Sequence, residues 1–160
     1  MRPATGWIIL RLSPASLHDP ETAAHITGIL MESAVPPARL CFELTRTTDL
    51  GQRSEADELV RALREFGCHF IFGDFGSGRS SFANAKDLQI ELVKIGDLAQ
   101  RDIVNDRADA ALVRSTVEMA HFVGIPVIVD QVDKPAILTL IRELGVEYAQ
   151  GAAVGAVQSL

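Results

Sequence analysis

The stretch Ala108–Asp130, ADAALVRSTVEMAHFVGIPVIVD, decides how the whole chain reads. Its first part carries Ala108, Ala111, Leu112, Met119 and Phe122 at helical spacing, which predicts one helix with these residues on its packing face. Gly124 ends that helix, and Gly67 stops an earlier one in a left-handed cap. Pro126-Val127-Ile128-Val129 is too short for a helix and lacks the alternation of a half-wet strand, so it reads as a strand buried on both faces. Asp130 then ends the run with a charge. The same order of helix, glycine, short apolar strand and polar residue occurs twice more. Gly67 separates a helix marked by Ala56, Leu59, Val60, Leu63 and Phe66 from His69-Phe70-Ile71-Phe72 and then Gly73-Asp74. Gly145 separates a helix marked by Ile137, Leu138, Ile141 and Leu144 from Val146-Glu147-Tyr148-Ala149 and then Gln150. This is the grammar of repeated parallel βα units.

Three more apolar runs extend the series outward. Trp7-Ile8-Ile9-Leu10, Leu40-Cys41-Phe42 and Ile90-Glu91-Leu92-Val93 read as the first, second and fourth strands. Asp19 is placed to cap a helix with Pro20 at its first position, and Val35-Pro36-Pro37 ends it. Thr45 to Arg53 reads as a polar loop, and Ser54 as the cap of the helix that follows. The last residues, Gly151 to Leu160, are small and are expected to fray. The expected fold class is therefore α/β, a set of parallel βα repeats with about six strands, in a single domain over residues 1–160. If the repeats form a TIM-type (β/α)8 barrel it is an incomplete one, because such barrels take about 250 residues.

Composition narrows the function classes. Of 160 residues 48% are apolar and 22% charged, the balance of an ordinary globular domain. Fifteen Lys and Arg against 21 Asp and Glu leave a net charge of −6, which argues against a DNA or RNA binder, whose affinity rests on neutralising phosphates. A small anionic ligand in a local basic pocket is not excluded by that balance. Cys41 and Cys68 lie inside apolar runs and read as buried, reduced thiols, which fits a cytoplasmic protein. Neither a signal peptide nor an apolar run long enough for a membrane segment is visible.

In parallel βα folds ligand chemistry gathers at the C-terminal ends of the strands. The residues at those ends are Arg11 and Ser13, Glu43, Gly73-Asp74, Lys94 with Asp97 beyond it, Asp130 and Asp133, and Gln150. Carboxylates with a lysine at one pole suit a metal and phosphate site. The same residues can equally solvate strand ends and cap helices, and Asp133 is well placed to cap the helix containing Pro135. Gly73-Asp74-Phe75-Gly76-Ser77-Gly78 lacks the Gly-Lys-Ser/Thr ending of a phosphate-binding P-loop. The histidines His18, His25, His69 and His121 show no metal-ligand spacing, and His69 and His121 read as structural.

Taken in order, these pieces resemble the EAL domains, bacterial phosphodiesterases that linearise cyclic di-GMP. Leu10-Arg11-Leu12-Ser13 stands where that family has Val-Asn-Leu-Ser, and Phe42-Glu43-Leu44-Thr45-Arg46 stands for Phe-Glu-Ile-Thr-Glu. Gly73-Asp74-Phe75-Gly76-Ser77-Gly78 stands for Asp-Asp-Phe-Gly-Ser-Gly, and Lys94-Ile95-Gly96 for Lys-Ile-Asp. Val129-Asp130-Gln131-Val132-Asp133 stands for Ala-Glu-Gly-Val-Glu, and Tyr148-Ala149-Gln150-Gly151 matches outright. The resemblance implies a TIM-type barrel with its site at the strand C-termini. It also implies a magnesium or manganese pair that clamps the phosphate and activates a water.

The departures set the functional expectation. The Glu-Ala-Leu signature precedes the first matched piece, so its metal-binding glutamate and about two βα units are expected to be missing. Arg11 replaces an Asn ligand, Gly73 and Gly96 replace aspartates, and Asp130 and Asp133 shorten two glutamates. The remnant positions are Glu43, Asp74, Lys94, Asp130, Asp133 and Gln150, of which Glu43 and Asp74 are metal remnants. With those ligands lost, no cofactor is expected, and magnesium or manganese belongs only to residual activity. The expected function is a catalytically inactive, degenerate EAL-like domain with a regulatory or protein-interaction role in cyclic di-GMP signalling. The alternative is a non-hydrolysing cyclic di-GMP receptor using Asp74, Arg79, Lys94 and Gln150, with Arg11 or Arg79 meeting phosphate. An active metal-dependent phosphodiesterase ranks behind both. The apolar run at Trp7–Leu10 would leave an open barrel edge, so a homodimer or a protein partner is expected to cover it. The family resemblance points to the segment from about Ser80 to Leu88 for dimerisation.

Overall fold

The computed structural model describes residues 6–45, 55–73, 75, 88–96 and 102–155. Residues 46–53 of the predicted polar loop, Ser54, Asp74, Gly76-Ser77-Gly78, Arg79, residues 80–87, Asp97 and residues 156–160 lie outside the described residues. The fold class is α/β with parallel strands, as expected. The strands are β1 (Ile8–Leu12), β2 (Leu40–Leu44), β3 (His69–Phe72), β4 (Leu92–Ile95), β5 (Val127–Val129) and β6 (Tyr148–Ala149), ordered as in the chain. The helices are α1 (Pro14–Leu17), α2 (Glu21–Glu32), α3 (Glu55–Glu65), α4 (Arg107–Phe122) and α5 (Pro135–Glu143), with a 3₁₀ turn at Pro37–Arg39. The described residues fall into two compact units, one holding β1 to β3 and the other β4 to β6.

In the first unit β1, β2 and β3 pair in parallel, with Arg11 opposite Glu43 and Glu43 opposite Ile71. All five residues of β2 are buried, as a strand covered on both faces requires. Phe42, Leu44, Phe70 and Phe72 form the core with Ala56, Leu59, Val60 and Leu63 of α3. Each fully buried Leu or Phe contributes roughly 1.5–3 kcal/mol. Helix α3 stops where expected. Gly67 adopts φ +95°, its N–H reaching Arg64 O at 2.8 Å and the Cys68 N–H reaching Leu63 O at 3.1 Å. Helix α2 begins one residue later than predicted, at Glu21, although Asp19 Oδ1 still accepts the Glu21 N–H at 2.9 Å. The short helix α1, capped by Ser13 Oγ on the Ser16 N–H at 3.1 Å, is not visible in the apolar periodicity because it is a single turn.

At the N-terminal ends of these strands a second polar group holds the chain. Glu91 accepts from the Phe70 N–H at 2.8 Å and from Arg64 Nη1 at 3.0 Å, and lies 3.2 Å from His69 Nδ1. Trp7 stacks on the His69 ring at 4.4 Å. Histidine 69 is thus structural, as its strand position suggested.

In the second unit β4, β5 and β6 pair in parallel. Asp106 caps α4 by accepting the Ala108 and Asp109 N–H groups at 2.7 and 3.2 Å. Gly124 and Gly145 follow the ends of α4 and α5, where the helices were expected to stop, and take φ +79° and +77°. The packing face of α4 is not the predicted one. Val113, Val117 and Ala120 are buried, whereas Leu112 and Met119 are exposed and Phe122 is 88% exposed. Both stripes have helical spacing, so periodicity alone does not choose between them; the stripe of smaller residues, two valines and an alanine, is the buried one. Glu147 accepts the Val127 N–H at 2.9 Å and lies 3.0 Å from His121 Nε2, a partner for the second structural histidine.

Strand β4 starts two residues after the predicted start. Gln89 takes φ +51°, and the Glu91 N–H donates to Phe70 O at 3.0 Å while its carboxylate takes the Phe70 N–H. The extended run begins only after that anchor. Lys94 therefore lies inside its strand, and β1 and β2 likewise run on to include Arg11 and Glu43.

Candidate functional site

Glu43 is the fourth residue of β2 and is 4% exposed. A carboxylate so enclosed is costly unless a cation or hydrogen-bond donors face it. The parallel register supplies Arg11, directly opposite on β1, and Arg11 Nη2 lies 3.4 Å from Glu43 Oε1. At about 4 Å two unit charges attract by about 4 kcal/mol at an effective dielectric of about 20, less where solvent screens one partner. That screening applies to Arg11, whose side chain is 62% exposed. Two residues earlier on β2, burial raises the Cys41 thiol pKa to about 12, with the negative charges of Glu91 and Glu43 adding to the shift. Cys41 and Cys68 are both buried and unpaired with each other, as expected.

In the other unit Lys94 is buried, and its Nζ lies 2.8 Å from Asp130 Oδ2. Asp130 follows β5 directly, and its N–H reaches Ile95 O at 2.9 Å, so the backbone of β4 positions the carboxylate over the lysine. The Phe75 N–H donates to Lys94 O at 2.9 Å, and Phe75 is buried. Gln131 takes φ +58°, an uncommon conformation for a residue with a side chain, and its N–H is held by Asp130 Oδ1 at 2.8 Å.

Asp133 does not cap α5. The cap position is Lys134, without a side-chain hydrogen bond, and Asp133 Oδ1 instead accepts the Ala152 N–H at 2.9 Å. That contact ties the loop after β5 to the turn after β6. Gln150 is exposed and contributes backbone: its N–H meets Val129 O and its carbonyl takes the Val132 N–H, both at 2.9 Å. Gly151 closes the same turn at φ +145°, so near the Val132 backbone that a Cβ would overlap it. Of the predicted site residues, Lys94 and Asp130 form a direct pair, and Asp133 and Gln150 belong to the adjoining loops of the same unit. Glu43 belongs to the first unit, and Asp74 and Arg79 lie outside the described residues. The anchors Glu91 and Glu147 were missed by motif reading; each is a glutamate just before a strand, too common a pattern to single out.

The implied metal pair finds little to hold it. Among the described residues no three His, Cys, Asp or Glu side chains come together as a cation site. Hard divalent cations take six or more oxygens, and Glu43 faces a guanidinium. The described residues therefore do not fit a divalent ion at Glu43.

Each unit is built of parallel βα repeats with polar residues at its strand ends, the pattern of an α/β domain. The chain matches the family model for the EAL domain over residues 2–156, and it belongs to that family. It is 32% identical over 126 residues to the cyclic di-GMP phosphodiesterase PdeB of Shewanella oneidensis, a match covering 79% of this chain and 15% of that protein. The PaMucR phosphodiesterase, solved in complex with c-di-GMP, has the same fold. Its TM-score is 0.84 at 22% identity, covering 94% of this chain and 61% of that one. The FimX EAL domain from Pseudomonas aeruginosa bound to c-di-GMP matches with a TM-score of 0.81 at 24% identity, covering 94% and 62%. The chain thus spans about three-fifths of those solved chains and a far smaller share of the curated relative.

Proposed function

We propose that this chain is a non-catalytic EAL domain with a regulatory or protein-interaction role in cyclic di-GMP signalling. The observation that carries the reading is the state of the acids. Glu43 faces Arg11, and Asp130 is engaged by Lys94. Two-metal hydrolysis needs several free oxygens to clamp a phosphate and activate water. A turnover assay with cyclic di-GMP in magnesium and in manganese tests it; metal-dependent linearisation would sink the reading.

A second reading is a receptor that holds cyclic di-GMP without cutting it. It is supported by the likeness to the FimX EAL domain, solved with that nucleotide bound. Calorimetry with and without metal separates the two, and micromolar or tighter binding favours the receptor.

The same proposal places the protein in the cytoplasm and gives it a partner. Two buried unpaired thiols support the compartment. Among the described residues no helix is long and apolar enough to cross a membrane. Ile8 and Leu10 on β1 are each more than 40% exposed, as are Ile29 and Met31 on α2, and this apolar surface supports a homodimer or a protein partner. Light scattering over a dilution series checks the dimer, and a mass that stays monomeric at high concentration removes it.

A further inference from the structure

We infer that Arg11 is the resident cation of Glu43, a built-in positive charge that takes the place a divalent ion would need. The inference concerns the charge state of one strand pair and goes beyond the proposed function, since it is read with no nucleotide present. Four observations carry it. Arg11 and Glu43 are direct register partners on neighbouring parallel strands, so their side chains leave the same face. The guanidinium reaches the carboxylate at 3.4 Å. Glu43 is buried in a strand with no exposed residue, so it requires a counter-charge from somewhere. Finally, among the described residues no group of three or more His, Cys, Asp or Glu side chains forms a cation site.

The charges decide which cation wins. A divalent ion brought to Glu43 would meet the Arg11 guanidinium at the same distance scale and would be repelled by it, less strongly where solvent screens the arginine. Arginine stays protonated under all ordinary conditions, so this counter-charge cannot be removed by pH or by a chelator. Glu43 is thereby neutralised without metal, and the strand pair is insensitive to divalent ions. Arg11→Asn exchanges the cation for an amide oxygen, a hard-cation ligand, and exposes Glu43 to metal.

The test is thermal melting of the wild type, Arg11→Asn, Arg11→Lys and the double variant Arg11→Asn/Glu43→Gln. Each is melted in millimolar magnesium or manganese chloride and in potassium chloride of equal ionic strength. The wild type and Arg11→Lys are expected to melt at the same temperature in all three salts. Arg11→Asn is expected to gain a saturable rise of about 3 °C with manganese, absent from the double variant. A saturable metal-dependent rise in the wild type would overturn the inference, and so would an Arg11→Asn protein indifferent to metal. If Arg11→Asn does not fold alone, manganese present during refolding is expected to restore it, and failure to do so also counts against the inference. The inference shares the Arg11–Glu43 contact with the proposed function, but the turnover assay is a separate readout, so the failure of one is distinguishable from the failure of the other.

Discussion

The Lys94 ammonium lies 2.8 Å from the Asp130 carboxylate, one group inside β4 and the other just beyond β5. Lys94 is 8% exposed, so its charge is largely desolvated, and the short contact to Asp130 runs across neighbouring strands. Removing one partner of a buried pair leaves the other charged and desolvated. Asp130→Ala is therefore expected to destabilise the protein by about 2–3 kcal/mol, somewhat under the usual cost because Asp130 keeps some solvent contact. Lys94→Met in the same chain should recover most of that loss. Urea unfolding of the two single variants and the double one measures the coupling, and additive losses would show that the pair is not coupled.

Gly151 sits where only a hydrogen fits. A Cβ there would lie 2.6 Å from Val132 O and 2.7 Å from Val132 C, and φ is +145°. Gly151→Ala is expected to cost about 3 kcal/mol, because the obstacle is backbone and cannot swing aside. The same change should loosen the Asp133 contact to Ala152. Amide exchange at Ala152 reads that loosening directly, and unchanged protection would show the turn to be tolerant.

Gln131 offers the opposite case. Its φ of +58° strains a residue that carries a Cβ, and the family pattern has glycine at this place. Gln131→Gly is expected to stabilise by about 1 kcal/mol, the left-handed penalty less the extra entropy of glycine. A lower denaturant midpoint for the variant would refute this.

Gly28 lies within α2, and a Cβ there would meet nothing within 4 Å. Gly28→Ala should therefore stabilise by about 1 kcal/mol through helix propensity alone. The check is the denaturant midpoint at unchanged slope.

Cys41 sets an alkaline limit. Burial, reinforced by the charges of Glu91 and Glu43, raises its thiol pKa from 9.0 to about 12. Between those values the unfolded chain has lost the proton and the folded chain keeps it, so folding stability falls as pH rises through that window. The contribution is fully present below pH 9, and the slope is about 1.4 kcal/mol per pH unit at most. Cys41→Ala is expected to flatten the decline above pH 9, even though its cavity lowers stability at neutral pH. Native Cys41 should also resist iodoacetamide at pH 8, and rapid alkylation there would contradict the burial.

Much of the architecture was legible before any coordinate. Repetition of helix, glycine and short apolar run specified parallel βα units, and Gly67, Gly124 and Gly145, each read as a helix stop, all take a left-handed conformation. The candidate site was legible as a set of residue types at strand ends. Its pairings were not, because Lys94 and Asp130 are far apart in the chain and meet only through strand register.

The sequence by itself determined the order and kind of the elements, since periodicity, helix caps and the burial of short apolar runs are local properties. Tertiary structure alone decided which stripe of α4 is buried, Val113, Val117 and Ala120 rather than Leu112, Met119 and Phe122. It also decided that Asp133 holds Ala152 instead of capping α5, and that Arg11 stands against Glu43. The physical reason is common to all three. Two apolar stripes, or two possible partners for a charge, are equivalent along the chain, and they become unequal only when packed strands fix the distances and remove the water.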